Sequence, residues 1–128
     1  MALDQDKLKK ALPRLKKDHN IWFATARPDG RPHLVPIWFV WHEGKIWLCT
    51  LSNTQKVRNL AKSQHAVAAL EDGDSPVIME GMAIAWHDKA EFERLAPLFK
   101  KKFDWDILID DTGDYILVEF TPTRMLSW

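Results

Sequence analysis

The stretch Thr50-Leu51-Ser52-Asn53-Thr54-Gln55-Lys56-Val57-Arg58-Asn59-Leu60 gathers hydroxyl and cationic side chains where a strand gives way to a helix. The hydroxyls of Thr50, Ser52 and Thr54, the free amides of a first helical turn, and the charges of Lys56 and Arg58 together form the elements of a phosphate cradle. Cations in the first turns of a helix oppose its macrodipole, and an anion bound there relieves that conflict. Thr-capped helices with Lys and Arg in their first turns are also common, and most bind nothing. The segment is therefore a candidate anion site.

No other side chain is singled out for chemistry. Cys49 is the only cysteine, which excludes an intrachain disulfide and a multi-cysteine zinc site and suits a reducing cytoplasm. Placed between Trp47 and Thr50 on a strand, it reads as a small packed residue. The five histidines show no metal-ligand spacing. Glu80 and Glu119 read as strand residues facing solvent or pairing with cations. We assign no catalytic side chain and no metal ligand.

The elements that must position the cradle follow from periodicity. Leu8, Ala11, Leu12 and Leu15 recur at helical spacing among lysines and arginines, which predicts an amphipathic helix from Asp4 to about Lys17, interrupted near Pro13. Residues 20–128 then read as the main body of a single domain. Strands are predicted at Ile21 to Ala26, Pro32 to His42 and Lys45 to Thr50, joined as a meander through Pro28-Asp29-Gly30 and His42-Glu43-Gly44-Lys45. Thr54 is placed as the N-cap of a short helix carrying Val57, Leu60 and Ala61 on one side. Further strands at His65 to Leu70 and Pro76 to Trp86 form a second hairpin. Asp88 and Glu91 make an acidic capping box for a helix that presents Phe92, Leu95, Leu98 and Phe99, with a bend or restart expected at Pro97. Tyr115 to Thr121 is the last strand. The expected fold is mainly β within the α+β class: a six-stranded antiparallel split barrel with short flanking helices.

The strand Pro32 to His42 is apolar on both faces: His33, Val35, Ile37, Phe39 and Trp41 on one, Leu34, Pro36, Trp38, Val40 and His42 on the other. Val77 to Trp86 repeats the pattern. A strand facing water on one side alternates apolar and polar residues, so another surface must cover these. A homodimer is the simplest cover, and the chain's own helices are the competing one. Pro36 cannot donate to a ladder, which makes Val35 to Trp38 a candidate binding edge.

Composition narrows the partners. Eighteen basic side chains balance 18 acidic ones, so no general pull toward nucleic acid or anionic membrane is expected and any anion affinity must be local. No apolar run approaches the roughly 20 residues that span a bilayer, and the N-terminus is too charged for a signal peptide. The expected location is cytoplasmic. Seven tryptophans against one tyrosine exceed what one small core needs, and the cluster at Trp22, Trp38, Trp41 and Trp47 suits a dimer seam.

Ala24-Thr25, Asp29-Gly30-Arg31-Pro32-His33, Val35-Pro36-Ile37-Trp38-Phe39, Thr50 through Lys56-x-Arg58-Asn59-Leu60, Glu80-Gly81 and Phe120-Thr121-Pro122-x-Arg124 occur in an order that resembles the pyridoxamine-phosphate-oxidase-like flavin-binding split barrels. The resemblance runs from about Ile21 to Trp128. It implies a homodimer with two sites at the subunit interface, each holding FMN or, alternatively, a deazaflavin coenzyme. It places the strand His33, Val35, Pro36, Ile37 and Trp38 along the ring system. It assigns the phosphate to Lys56 and Arg58, with hydroxyl donors from Thr50, Ser52 and Thr54, Gln55 alongside, and Asn59 bracing the helix start. Trp86, Trp105 or the Arg124 tail of the partner would wall the site.

Departures from the pattern set limits. Gln55 stands where the true pyridoxamine phosphate oxidases carry a basic residue, His33 stands where they have a phosphate-binding arginine, and their long basic C-terminal segment is missing. The expected function is an FMN-dependent oxidoreductase acting on an unidentified small molecule, not a vitamin B6 oxidase. A deazaflavin-dependent reductase and a non-catalytic flavin, haem or tetrapyrrole carrier are the alternatives. In either redox case the coenzyme supplies the reactive atom and the protein positions it.

Overall fold

The computed structural model describes residues 3–110 and 113–128. Three helices, α1 (Gln5–Lys17), α2 (Gln55–Lys62) and α3 (Lys89–Phe103), flank seven strands. The strands are β1 (Asn20–Ala26), β2 (Pro32–Trp38), β3 (Val40–His42), β4 (Lys45–Leu51), β5 (His65–Leu70), β6 (Val77–Trp86) and β7 (Tyr115–Ser127). All pairings are antiparallel, in the order β2-β1-β5-β6-β7-β4-β3.

The expected strand Pro32 to His42 is therefore two strands, and the count is seven rather than six. The chain breaks at Phe39, whose N–H donates to the His19 carbonyl oxygen at 3.1 Å. β2 continues the hairpin with β1, while β3 pairs with β4 at the opposite end of the sheet. The expected meander fails at this point, because β2 and β4 are not paired. Two strands adjacent in sequence but at opposite ends of one sheet force it to curl, and the result is a half-barrel with a split between β2 and β4.

Ile21 and Phe23 of β1, Ile46 and Leu48 of β4, Met79 and Ala83 of β6, and Val118 and Phe120 of β7 fill the concave side, closed by Ala11 and Leu15 of α1. A second core lies on the convex side, where Leu95 and Phe99 of α3 cover Trp47, Cys49, Val40 and Leu117. β4 is apolar on both faces because both are covered. The two covers foreseen for the doubly apolar strand thus divide at Phe39. Val40 is buried under α3, while Leu34 and Trp38 of β2 stay 58% and 44% exposed.

Both internal prolines lie inside continuous helices, so neither the interruption expected near Pro13 nor a restart at Pro97 occurs. Each is exposed, so the carbonyl left without an N–H partner four residues earlier faces water. The capping box of α3 is half formed: Asp88 accepts from the Ala90 N–H at 2.9 Å, whereas Glu91 pairs with Arg94 at 2.7 Å. β7 extends past Thr121 to Ser127 because Thr123 forms a bulge opposite Glu80 and Gly81, where Pro122 is tolerated.

Candidate functional site

The β1–β2 register sets Thr25 opposite His33. Both belong to the alternating set that faces the barrel interior, with Ile21 and Phe23 on β1 and Val35 and Ile37 on β2. At that mouth the interior turns polar. Thr25 is buried, as is Thr50, which follows Ile46 and Leu48 on the inward face of β4.

Helix α2 closes the mouth. Asn59 is fully buried and donates from Nδ2 to the Thr25 hydroxyl oxygen at 2.9 Å. Its Oδ1 accepts from Gln55 Nε2 at 2.7 Å, and Gln55 Oε1 accepts from Arg58 Nη2 at 3.0 Å. Arg58 Nη1 also donates to the Asn53 carbonyl, so the guanidinium fastens the loop before α2. Gln55 and Asn59 are thus oriented by a chain of bonds ending at β1.

Lys56 is only 8% exposed, and burial pulls its ammonium below the ordinary lysine value. His33 is held below the ordinary histidine range by burial first, then by the charges of Arg27 and Lys56. Its Nδ1 is buried without a hydrogen-bond partner. Arg27 donates Nη1 to the Pro32 carbonyl at 2.8 Å. Among the described residues no carboxylate pairs with Arg27, Lys56 or Arg58. Cations gathered without a counter-charge around an unpartnered imidazole nitrogen fit an anion with several acceptor oxygens.

The remaining candidates divide. Thr54 caps α2 by position, but its hydroxyl donates to the Leu51 carbonyl at 3.0 Å and its oxygen accepts from no N–H of the helix. The Ser52 hydroxyl donates to the Asp114 carboxylate at 2.9 Å, and its N–H to the Asp114 carbonyl at 2.8 Å. Of the three expected hydroxyls, these two serve the loop. Val35 and Ile37 face inward and half-buried, while Pro36 and Trp38 face outward on an edge strand. Thr25 and Arg27 were not expected at the site, although Thr25 precedes a Pro-Asp-Gly turn that returns the chain to His33.

At the end of β2, Trp38 stacks on Phe103 at 4.5 Å between centroids and 4° between planes. Trp105 meets Trp38, Phe99 and Tyr115 edge-on. Trp105 Nε1 donates to Asp110 Oδ2 at 2.7 Å. Trp38, Phe103, Trp105, Asp110 and Tyr115 bound a cleft of about 500 Å³ that Cys49 also lines. Burial and then the Asp110 charge push that thiol up to about 12, so it is uncharged at neutral pH. A second concavity of about 450 Å³ runs over Ala24, Ala26, Val67 and Gly81 on the outward side of β1, β5 and β6. Among the described residues no group of His, Cys, Asp and Glu converges as a metal site, and no helix is long and apolar enough to cross a membrane.

The model of the family described as pyridoxamine 5'-phosphate oxidase matches residues 8–128. A comparison with curated proteins gives no match. Among solved structures, a conserved hypothetical protein from Mycobacterium tuberculosis superposes with a TM-score of 0.79 at 24% identity, covering 100% of this chain and 86% of its own. A structure described as an F420 reductase gives 0.71 at 20% identity, with 88% and 92% covered. A FAD-binding protein from Mesorhizobium loti gives 0.72 at 14%, with 91% and 90% covered. At these identities the likeness is one of fold.

Proposed function

This chain belongs to the pyridoxamine 5'-phosphate oxidase family, and we propose that it is a flavin-binding oxidoreductase acting on a small molecule, with FMN as coenzyme. Lys56, with His33 and Arg27 beside it, holds the phosphate. Thr50 offers a hydroxyl from the barrel mouth, and Gln55, Arg58 and Asn59 hold the α2 segment in place. The ring system lies along β2 from His33 to Trp38, where Pro36 leaves the edge short of one donor. A second copy of the chain covers the apolar outward side of β2 and completes the site. FMN supplies the hydride chemistry, and the protein contributes binding, orientation and exclusion of water. A deazaflavin bearing a phosphate would use the same cations.

The observation that carries this reading is the burial of Lys56, whose charge acts on His33, with no carboxylate paired to it among the described residues. A buried charge without a counter-ion is costly, and the phosphate is the group that offsets it. His33 and Gln55 in place of the basic residues of the true oxidases favour a different substrate from pyridoxamine phosphate. The similarity to proteins described as an F420 reductase and a FAD-binding protein supports a flavin or deazaflavin.

The test compares FMN with riboflavin, which lacks the phosphate. Charged phosphate contacts are worth about 1.5–3 kcal/mol, so Lys56→Met should weaken FMN binding by roughly 10- to 150-fold and leave riboflavin unchanged. A purified protein that binds haem and no flavin, or equal losses for both ligands, overturns the reading.

A further inference from the structure

We infer that His33 takes up a proton when a phosphate dianion binds at the barrel mouth, so that the site holds its ligand through an imidazolium beside the Lys56 ammonium. This deepens the coenzyme reading and rests on its phosphate site: the ligand class is a doubly charged phosphate monoester, such as the one FMN carries. His33 faces the barrel interior from β2, opposite Thr25 of β1. Its Nδ1 is buried without a hydrogen-bond partner. A buried polar atom left in that state is costly unless a ligand or water meets it.

The charges that reach this imidazole are both positive, Arg27 from β1 and Lys56 from α2. Arg58, the other cation near the start of α2, spends its guanidinium on Gln55 and the Asn53 carbonyl. β4 contributes the uncharged Thr50. The turn before β2 contributes Asp29, whose carboxylate is paired with Arg31 at 2.8 Å. Burial and the two cations hold the ring below the ordinary histidine value of 6.5, so it is neutral at neutral pH before an anion binds. A dianion among the same groups reverses the sign of the field and favours the charged ring. Both ring nitrogens are then donors, and the buried Nδ1 gains an acceptor of opposite charge.

Proton and phosphate therefore bind together. The complex keeps its His33 proton to a higher pH than the free chain does, so phosphate affinity falls as pH rises between the two titration midpoints, by up to about tenfold per pH unit. Phosphate monoesters lose their second proton near about pH 6, so above about pH 7 the ligand is a dianion throughout and the trend belongs to the protein. Lys56 is the other group of the site that burial pulls down. His33→Gln separates the two, because glutamine keeps a donor and carries no charge.

The test follows the His33 ring by NMR across a pH titration of the full chain freed of coenzyme, alone and with inorganic phosphate, FMN or riboflavin. The midpoint should lie below 6.5 alone, rise by at least about one pH unit with phosphate or FMN, and stay in place with riboflavin. Calorimetry of FMN binding at pH 7.5, in Tris and in Hepes, should show proton uptake by the parent and none by His33→Gln. The midpoint is read on the parent chain, so it decides the matter if the variant does not fold. An unmoved midpoint, or proton uptake that survives in His33→Gln and so belongs to Lys56, overturns the inference. The two readings fail separately. FMN held through its phosphate with His33 unmoved leaves the coenzyme reading standing, whereas a midpoint raised by inorganic phosphate in a chain that binds no FMN keeps the proton-linked site and removes the coenzyme.

Discussion

Asn59 on α2 and Thr25 on β1 share a buried hydrogen bond of 2.9 Å, which fixes the helix carrying Lys56 against the strand that faces His33. Asn59 uses its acceptor as well, toward Gln55, so both halves of its amide are committed. Asn59→Ala leaves the Thr25 hydroxyl and the Gln55 amide without these partners in a closed space, and the expected loss is about 1–3 kcal/mol. Asn59→Asp should behave differently. Its carboxylate keeps acceptors for Thr25 and Gln55 and stands three residues from Lys56 on the same helix, where it supplies the missing counter-charge. The coenzyme-free protein should then retain its stability, while FMN affinity falls at least tenfold. Urea denaturation and an FMN titration of both variants check the pair.

At Gly81 the backbones of β6 and β7 leave no room for a side chain. A methyl group there would stand 2.2 Å from the Thr121 carbonyl oxygen and 2.9 Å from the Pro122 Cα, both backbone atoms. Gly81→Ala should therefore cost about 2 kcal/mol or more, through separation of the two strands at their bulge. Gly73, with nothing within 4 Å of an added Cβ, is the matched control: Gly73→Ala should stay within about 0.5 kcal/mol of the parent. Equilibrium unfolding of the two variants measures the contrast.

These two positions show what was legible in the sequence and what was not. The hairpin β1–β2, the helix after Thr54 and the strand His65–Leu70 followed from turn residues and period alone. The break at Phe39 did not, because Pro32 to His42 is apolar on both faces and nothing in its pattern marks an interruption. What divides it is the geometry of closure: β3 must reach β4 at the far end of the sheet. Pro36 pointed to an irregular or edge strand, and β2 is an edge. Lys56, Arg58 and Asn59 are neighbours in the loop-to-helix segment of the sequence, yet only Lys56 and Asn59 turn inward. That division rests on the bond from Asn59 to Thr25, a pairing 34 residues apart that no local pattern encodes. Glu80-Gly81 carried a resemblance before it carried a reason, and the reason is the bulge.

Lys102 predicts a pH dependence of stability. Burial brings its ammonium down to about 8 against an opposing attraction from Asp18. Below that value the folded protein carries a charge it disfavours relative to the unfolded chain, which holds its proton up to the ordinary lysine value of 10.5. The unfolded state therefore binds more protons between about 8 and 10.5, and the Lys102 contribution to stability should rise with pH through that window. The Lys102 ammonium is half-exposed, so the gain is small. Comparing parent and Lys102→Met by urea denaturation at pH 7.5 and pH 10 isolates it. The parent should gain on the variant as pH rises, and a parent that loses ground would reverse the sign.

The outward side of the β1–β2 hairpin predicts an assembly. Trp22 stands opposite Pro36 and Ala24 opposite Leu34, and Trp22, Leu34 and Trp38 are all exposed. Large apolar side chains contiguous on one sheet face are the mark of an interface. Leu34 is 58% exposed in the single chain, so Leu34→Glu should change its folding stability by less than about 0.5 kcal/mol. Between two copies the same glutamate would be buried without a partner, and the dimer should dissociate. Sedimentation equilibrium at micromolar concentration should give twice the chain mass for the parent and the single mass for the variant. Because the proposed coenzyme site is completed by the second copy, FMN affinity should fall with the dimer. A monomeric parent would remove the shared site, whereas a monomeric variant that still binds FMN with full affinity would confine the site to one chain.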